Sequence, residues 1–164
     1  MTDKASFTKD EWALLLRSPM NAGIAITAAE PSGLFGLVKE SFAGGAALAQ
    51  AATDPNANPL VKAVVADFQT SDGRAAAHDG VKAEFANSKP AEIKTKAIAS
   101  LHEVADLLAA KAPADAPAFK GWLRQISQKT AEAASEGGGW FSGGVQVSDA
   151  EKATLGEISS VLGI

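Results

Sequence analysis

The sequence contains no cysteine and no tyrosine among its 164 residues, and aromatic residues make up only 6% of it. The absence of cysteine excludes disulfides, thiolate catalysis and Cys-ligated zinc or iron–sulfur sites. Few aromatics, together with a hydrophobic fraction of 46% that is rich in alanine, favour close helix packing over an aromatic-rich sheet sandwich. We therefore expect an all-α fold: one compact bundle of about seven to eight helices.

The sequence also lacks a large excess of one sign of charge and long apolar runs. The formal net charge is -4 and both signs are interspersed, so the chain lacks the basic field that binds nucleic acid. Uncharged stretches such as Ser18–Ala29 are shorter than the roughly 18 apolar residues of a membrane span, and the N-terminus has no apolar signal-peptide core. We expect a soluble, cytoplasmic protein without peripheral membrane contact, and its oligomeric state stays open.

The first helix has two start signals. Thr8 and Glu11 form a capping box, with Phe7 and Trp12 placed as a hydrophobic staple. Pro19 is predicted to end this helix or to open the next one, because a proline ring disfavours helical geometry in the residue before it. A later helix is predicted over residues 33–52.

The remaining pattern predicts helices up to the C-terminus. A Pro- and Asn-rich connection, residues 53–59, separates them from the first part of the chain, and a second capping box, Ser148 with Glu151, opens the last helix, which ends at Gly163. The segments AAEPSGLFGLVKE (28–40) and AASEGGGWFSGG (133–144) are similar. One domain, 1–164, is expected, and the similarity leaves open two pseudo-symmetric halves, 8–52 and 90–163, flanking central helices over 59–86.

Five glycines surround Trp140 and Phe141 in the loop 137–147. No Gly-Lys-Ser/Thr follows this loop, so it does not have the pattern of a phosphate cradle. Burial of the two aromatic side chains in the core is the favoured interpretation, because burial of large apolar groups stabilises the fold. The alternative is an exposed tip, in which Trp140 and Phe141 bind a partner.

Four carboxylates cluster in sequence around the same loop. Glu132 and Glu136 are one turn apart, and Asp149 and Glu151 begin the next helix. Such oxygen ligands could hold a hard cation, calcium or magnesium. Capping by Glu151, the helix dipole at Asp149 and solvation of Glu132 explain the same residues without a metal. No cofactor is otherwise expected.

His78 and His102 are the two histidines of the chain. His102 precedes Asp106 by one helical turn, a spacing that suits an acid/base pair or a metal ligand pair. An enzyme that uses His102 and Asp106 would need both side chains in one concave pocket. The structural alternative is a solvated helix face, which is the favoured interpretation.

The segment Ala131–Gly163, a helix, a glycine turn, Val-Ser-Asp-Ala-Glu and a helix ending in Leu-Gly, resembles the repeat core of the tellurite-resistance TerB-like family. Glu136-Gly137 stands at the family's Asp-Gly turn, and an additional segment, 138–144, precedes Ser148 and Glu151. The resemblance implies an all-helical fold, a stress-related role, and a metal role for Glu136 and Glu151.

The leading hypothesis is therefore a non-enzymatic binding or scaffold domain with a protein partner that the sequence does not identify. Cation binding at the junction of the last two helices is the first alternative. Catalysis by His102 and Asp106 is the second.

Overall fold

Helices form the whole of the described fold. The computed structural model describes residues 2–29, 47–136 and 147–164, with the backbone alone at 134–136. After a 3-10 turn at Lys4–Ser6 come α1 (Lys9–Thr27), α2 (described over 47–53), α3 (Pro59–Phe68), α4 (Ser71–Glu84), α5 (Pro90–Lys111), α6 (Ala116–Glu136) and α7 (Asp149–Leu162). These ranges contain no strand, so the prediction of an all-α bundle with about seven helices is confirmed. Within them, no helix is both long enough and apolar enough to cross a membrane.

Helix α1 lies at the centre of the bundle. It packs most extensively against α5, then against α6 and α4, and also contacts α3 and α7. Leu15 and Ile26 of α1 are fully buried, as are Leu101 of α5 and Phe119 and Ile126 of α6. Each such side chain contributes about 1.5–3 kcal/mol by leaving water, so the core between α1, α5 and α6 carries much of the stability.

Pro19 does not end the first helix, and the prediction that it would is wrong. Helix α1 continues through Pro19 to Thr27. Proline removes the N–H that would bond to the carbonyl four residues earlier, at Leu15. The Ser18 hydroxyl donates to that carbonyl at 2.7 Å, and both Ser18 and Pro19 are buried. A local side-chain bond and tertiary packing together outweigh the helix-breaking tendency of the ring.

The start of α1 agrees with the sequence signals and is fixed further by Asp67 of α3. Thr8 and Glu11 form the capping box, and the rings of Phe7 and Trp12 lie 5.9 Å apart. Asp67 Oδ2 accepts hydrogen bonds from Lys4 Nζ at 2.8 Å and from Trp12 Nε1 at 2.6 Å. The carboxylate therefore joins the N-terminal turn, α1 and α3.

The last helix begins and ends as predicted. Ser148 and Glu151 form the second capping box, and Gly163 ends α7 in the left-handed conformation, with φ 71°. Helix α2 ends at residue 53, one residue after the predicted end, and the predicted start of that helix lies outside the described residues. Most of the two similar segments lies outside them too, so the pseudo-symmetric halves stay a prediction.

Candidate binding cavity

A cavity of about 180 Å³ lies where α2, the start of α3 and α6 meet. Its walls combine small apolar side chains, three amides, one carboxylate and one indole. The lining residues are Ala47, Gln50, Ala51, Asp54, Ala57, Asn58, Val61, Ala118, Trp122 and Gln125. The space stays open at the four alanines, because the methyl group of an alanine on one helix does not reach across to the next helix.

Helical spacing puts three residues of α6 on the wall. Ala118, Trp122 and Gln125 follow one another at intervals of four and three, so they share one face of the helix. Trp122 is 8% exposed, and its ring packs edge-on against Phe119 with centroids 5.3 Å apart. The indole is therefore held between the core and the cavity.

Asn58 fixes the α3 side of the cavity. Its Oδ1 accepts from the backbone N–H of Leu60 at 2.9 Å, which caps α3, and its Nδ2 donates to Asp115 Oδ1 at 2.8 Å. Hydrogen bonds from Thr2 and then from Asn58 hold the pKa of Asp115 below its ordinary value. Both ends of the Asn58 amide are occupied, so this wall is tied to the loop before α6.

Polar groups with spare bonding capacity lie at the end of α2 and on α6. Asp54 Oδ1 accepts from the Asn56 N–H at 2.8 Å, and Gln50 Oε1 accepts from Lys129 Nζ at 2.5 Å. Within the described ranges, neither Asp54 Oδ2 nor the Gln125 amide has a hydrogen-bond partner. The cavity therefore offers one carboxylate oxygen and one amide to a ligand.

Sequence reasoning did not find this cavity. The spacing of Gln50 on α2 and Asp54 directly after it, and of Trp122 and Gln125 on α6, indicates shared helix faces. Periodicity does not say which faces meet, since that depends on how the helices cross. The one available signal was the run of alanines at these faces, which predicts close approach of helices rather than a space between them.

Where the structure describes them, the carboxylates predicted as metal ligands are exposed or cap a helix. Glu151 is 5% exposed and its Oε2 accepts from the Ser148 N–H at 2.9 Å. Glu132 is exposed and accepts from Gln128 Nε2 at 2.8 Å, and the Asp149 side chain is fully exposed. The described part of the chain holds no group of three or more His, Cys, Asp or Glu suited to a metal ion. The Glu136 side chain lies outside that part, so the cation site stays a prediction.

The other predicted site residues fall into two groups. Trp140 and Phe141 lie outside the described residues. His102 Nδ1 lies 3.2 Å from Asp106 Oδ2, with the two side chains 58% and 74% exposed, and His78 is exposed as well. His102 and Asp106 thus form a pair on the solvated face of α5, and neither lines the cavity.

Comparisons with protein-family models, with curated proteins and with solved structures find no match to this chain.

Proposed function

We propose that the chain is a non-catalytic binding domain and that the cavity between α2, α3 and α6 is its binding site. The observation that carries the proposal is the composition of the wall: among the described residues, six apolar side chains and four polar ones, one of them charged, line one concavity. Ligand sites have this character, with polar groups that fix the orientation of a ligand against an apolar surface. Among the described residues of the lining, Asp54 is the one titratable side chain, so these residues do not supply a pair of groups for nucleophilic or acid–base catalysis.

The resemblance of residues 131–163 to TerB-like proteins supports a stress-related role for this binding domain. That resemblance rests on the sequence, and an all-helical fold is compatible with it. A protein partner remains part of the proposal, with the bundle as its scaffold.

Because His102 and Asp106 are exposed, we rank catalysis by this pair below binding in the cavity. An acid–base pair acts on a substrate that is held against it and shielded from water. Solvent reaches most of both side chains, and neither lines the cavity between α2, α3 and α6. We therefore propose no reaction at this pair.

A fragment screen by ¹⁵N–¹H correlation spectra tests the binding proposal without assuming a ligand class. We expect hits to shift amide signals of residues in α2, the start of α3 and the first half of α6, and to leave the fragments chemically unchanged. Ala118→Leu should fill the space and abolish these shifts, while Ala109→Leu, at an exposed position of α5, serves as the matched control. Hits that scatter over the surface, or that survive Ala118→Leu, would refute the cavity as the binding site.

A further inference from the structure

Helix α4 contributes little to the core of the bundle. Two of its 14 residues are buried, Gly73 and Ala77, and their side chains are a hydrogen atom and a methyl group. Val81 and Phe85, at its C-terminal end, are half-buried. The shorter helix α3 buries four larger apolar side chains, those of Leu60, Val61, Val64 and Val65. Because apolar burial is the main stabilising term, it holds α4 more weakly than its neighbours.

One carboxylate joins the C-terminal end of α4 to α1. Glu84 Oε2 accepts from Arg17 Nε at 3.1 Å and from Asn21 Nδ2 at 3.0 Å. The side chains of Glu84 and Arg17 are 15% and 21% exposed. Asn21 is fully buried, and its Nδ2 also donates to Ser100 Oγ of α5 at 2.8 Å. Within the described ranges, the polar side-chain contacts between α1 and α4 converge on this one oxygen of Glu84.

The amide of Asn21 is incompletely bonded while α4 is in place. Its Oδ1 is buried and has no hydrogen-bond partner in the described structure. A buried acceptor without a partner is unfavourable, because it has lost its bonds to water without replacement. The same amide contacts Glu84, so departure of α4 brings water to it. Hydration of Oδ1 then offsets part of the loss of the Glu84 contacts.

The two ends of α4 are attached differently. At its start, α4 packs closely on the end of α3, since a Cβ atom added at Gly73 would lie 1.9 Å from the Asp67 carbonyl oxygen. At its other end, a turn that contains Asn87 with φ 58° connects it to α5, which begins at Pro90. The first turn is therefore a fixed point, whereas the position of the C-terminal end depends on the contacts of Glu84.

We propose that α4 is a detachable arm. It opens as one unit about its first turn while the core between α1, α5 and α6 stays folded, and opening uncovers Arg17 and Asn21 on α1. Elements that move in this way have few buried apolar contacts, and α4 fits that description. Helix α4 does not line the cavity, so this inference goes beyond the proposed function and stands apart from it.

Native-state hydrogen exchange of the full chain, measured by NMR at low concentrations of urea, tests the proposal. After correction for intrinsic rates, we expect the amides of residues 78–84 to exchange at least about 100-fold faster than the slowest amides of α1 and α5. They should share one urea dependence, because they open together. That dependence should be weaker than the one for global unfolding, since opening of the arm exposes less surface.

Variants distinguish opening of the arm from global unfolding. Ile126→Val, in the core on α6, should accelerate the slowest amides of α5 by about 2- to 10-fold and leave residues 78–84 unchanged, because Ile126 stays buried when α4 opens. Glu84→Ala should accelerate both groups by about 10- to 100-fold, because its contacts are lost in both openings. Asp79→Ala, at an exposed position of α4, is the matched control and should change either group by no more than about 2-fold.

Three results would overturn the inference. If Ile126→Val accelerates residues 78–84 as much as α5, the helix opens only in global unfolding. If these residues exchange one by one without a shared urea dependence, the end of α4 frays and does not move as a unit. If Glu84→Ala leaves them unchanged, other contacts hold the helix. Should Glu84→Ala not fold, Glu84→Gln, which keeps an acceptor oxygen, replaces it with an expected acceleration of about 3- to 10-fold.

Discussion

Asp67 provides the sharpest test of how the N-terminal end of the bundle is held together. Its side chain is 20% exposed and accepts from Lys4 and Trp12. Trp12 is 4% exposed, so removal of the acceptor leaves a buried indole N–H without a partner. That loss costs about 1–3 kcal/mol, and a bond to a charged group contributes about 1.5–3 kcal/mol. Lys4 is 63% exposed, and its ion pair adds at most about 1 kcal/mol.

Asp67→Ala should therefore lower the free energy of unfolding by about 2–3 kcal/mol. For a chain of this length, that corresponds to a decrease in Tm of about 5–10 °C. Asp67→Asn, which keeps an acceptor oxygen but loses the charge, should cost about 1 kcal/mol. Asp79→Ala is the matched control: this exposed residue of α4 should change stability by less than about 0.5 kcal/mol.

Urea denaturation followed by far-UV circular dichroism measures these differences. A double-mutant cycle with Trp12→Phe isolates the bond between the indole and the carboxylate, for which we expect a coupling energy of about 1–2 kcal/mol. A coupling energy near zero, or a loss below about 0.5 kcal/mol for Asp67→Ala, would refute the role given to this contact.

The pH dependence gives an independent check on Asp67. Burial raises its pKa, but the hydrogen bonds from Lys4 and Trp12 outweigh that effect, and the pKa is lowered from its ordinary value of 3.8. The stabilisation by Asp67 is therefore complete above the unfolded pKa of about 4 and is lost as the pH falls below it. The stability difference between the native chain and Asp67→Asn should shrink below about pH 4. A difference that stays constant to pH 2 would contradict this assignment.

Three further predictions concern other parts of the chain. Gly73→Ala should destabilise the chain by more than about 1 kcal/mol, because the added Cβ would lie 1.9 Å from the Asp67 carbonyl oxygen. Gly156→Ala should instead stabilise α7 by about 0.5–1 kcal/mol, because a Cβ there would meet open space. Urea denaturation compares the two variants. Leu101→Ala should cost about 2–5 kcal/mol by the same measurement, since Leu101 is fully buried. Millimolar calcium or magnesium should raise the Tm if the predicted cation site exists, and Glu136→Gln with Glu151→Gln should abolish the rise; no shift in the native chain would end that hypothesis.

Local signals in the sequence predicted the helix ends well. Thr8 with Glu11, and Ser148 with Glu151, each satisfy backbone N–H groups within four residues, so nothing distant is needed to form them. Pro19 failed as a signal for the opposite reason. Its tolerance depends on the Ser18 hydroxyl and on burial by other helices, and burial is not a local property.

The candidate site was not predictable in the same way. Asp54 and Trp122 are 68 positions apart in the sequence, and they line one cavity because the fold brings the end of α2 close to α6. The sequence shows the face on which each residue lies, but not the rotation of one helix relative to another. The sequence instead indicated a site at carboxylates that are close together along the chain, such as Asp149 and Glu151. In the structure Asp149 is fully exposed and Glu151 caps its own helix.

The two sides of the cavity are held with different strengths, and this difference bears on how a ligand would enter. On the α3 side, both ends of the Asn58 amide are bonded, one end to Asp115. On the α2 side, Gln50 and Asp54 are exposed, and the bond between Gln50 and Lys129 competes with water. A ligand that displaces Lys129 from Gln50 loses little, whereas one that displaces Asn58 uncaps α3, which costs about 1 kcal/mol. We therefore expect the adjustment on binding to occur in the exposed side chains of Gln50 and Asp54, with the start of α3 as the fixed wall.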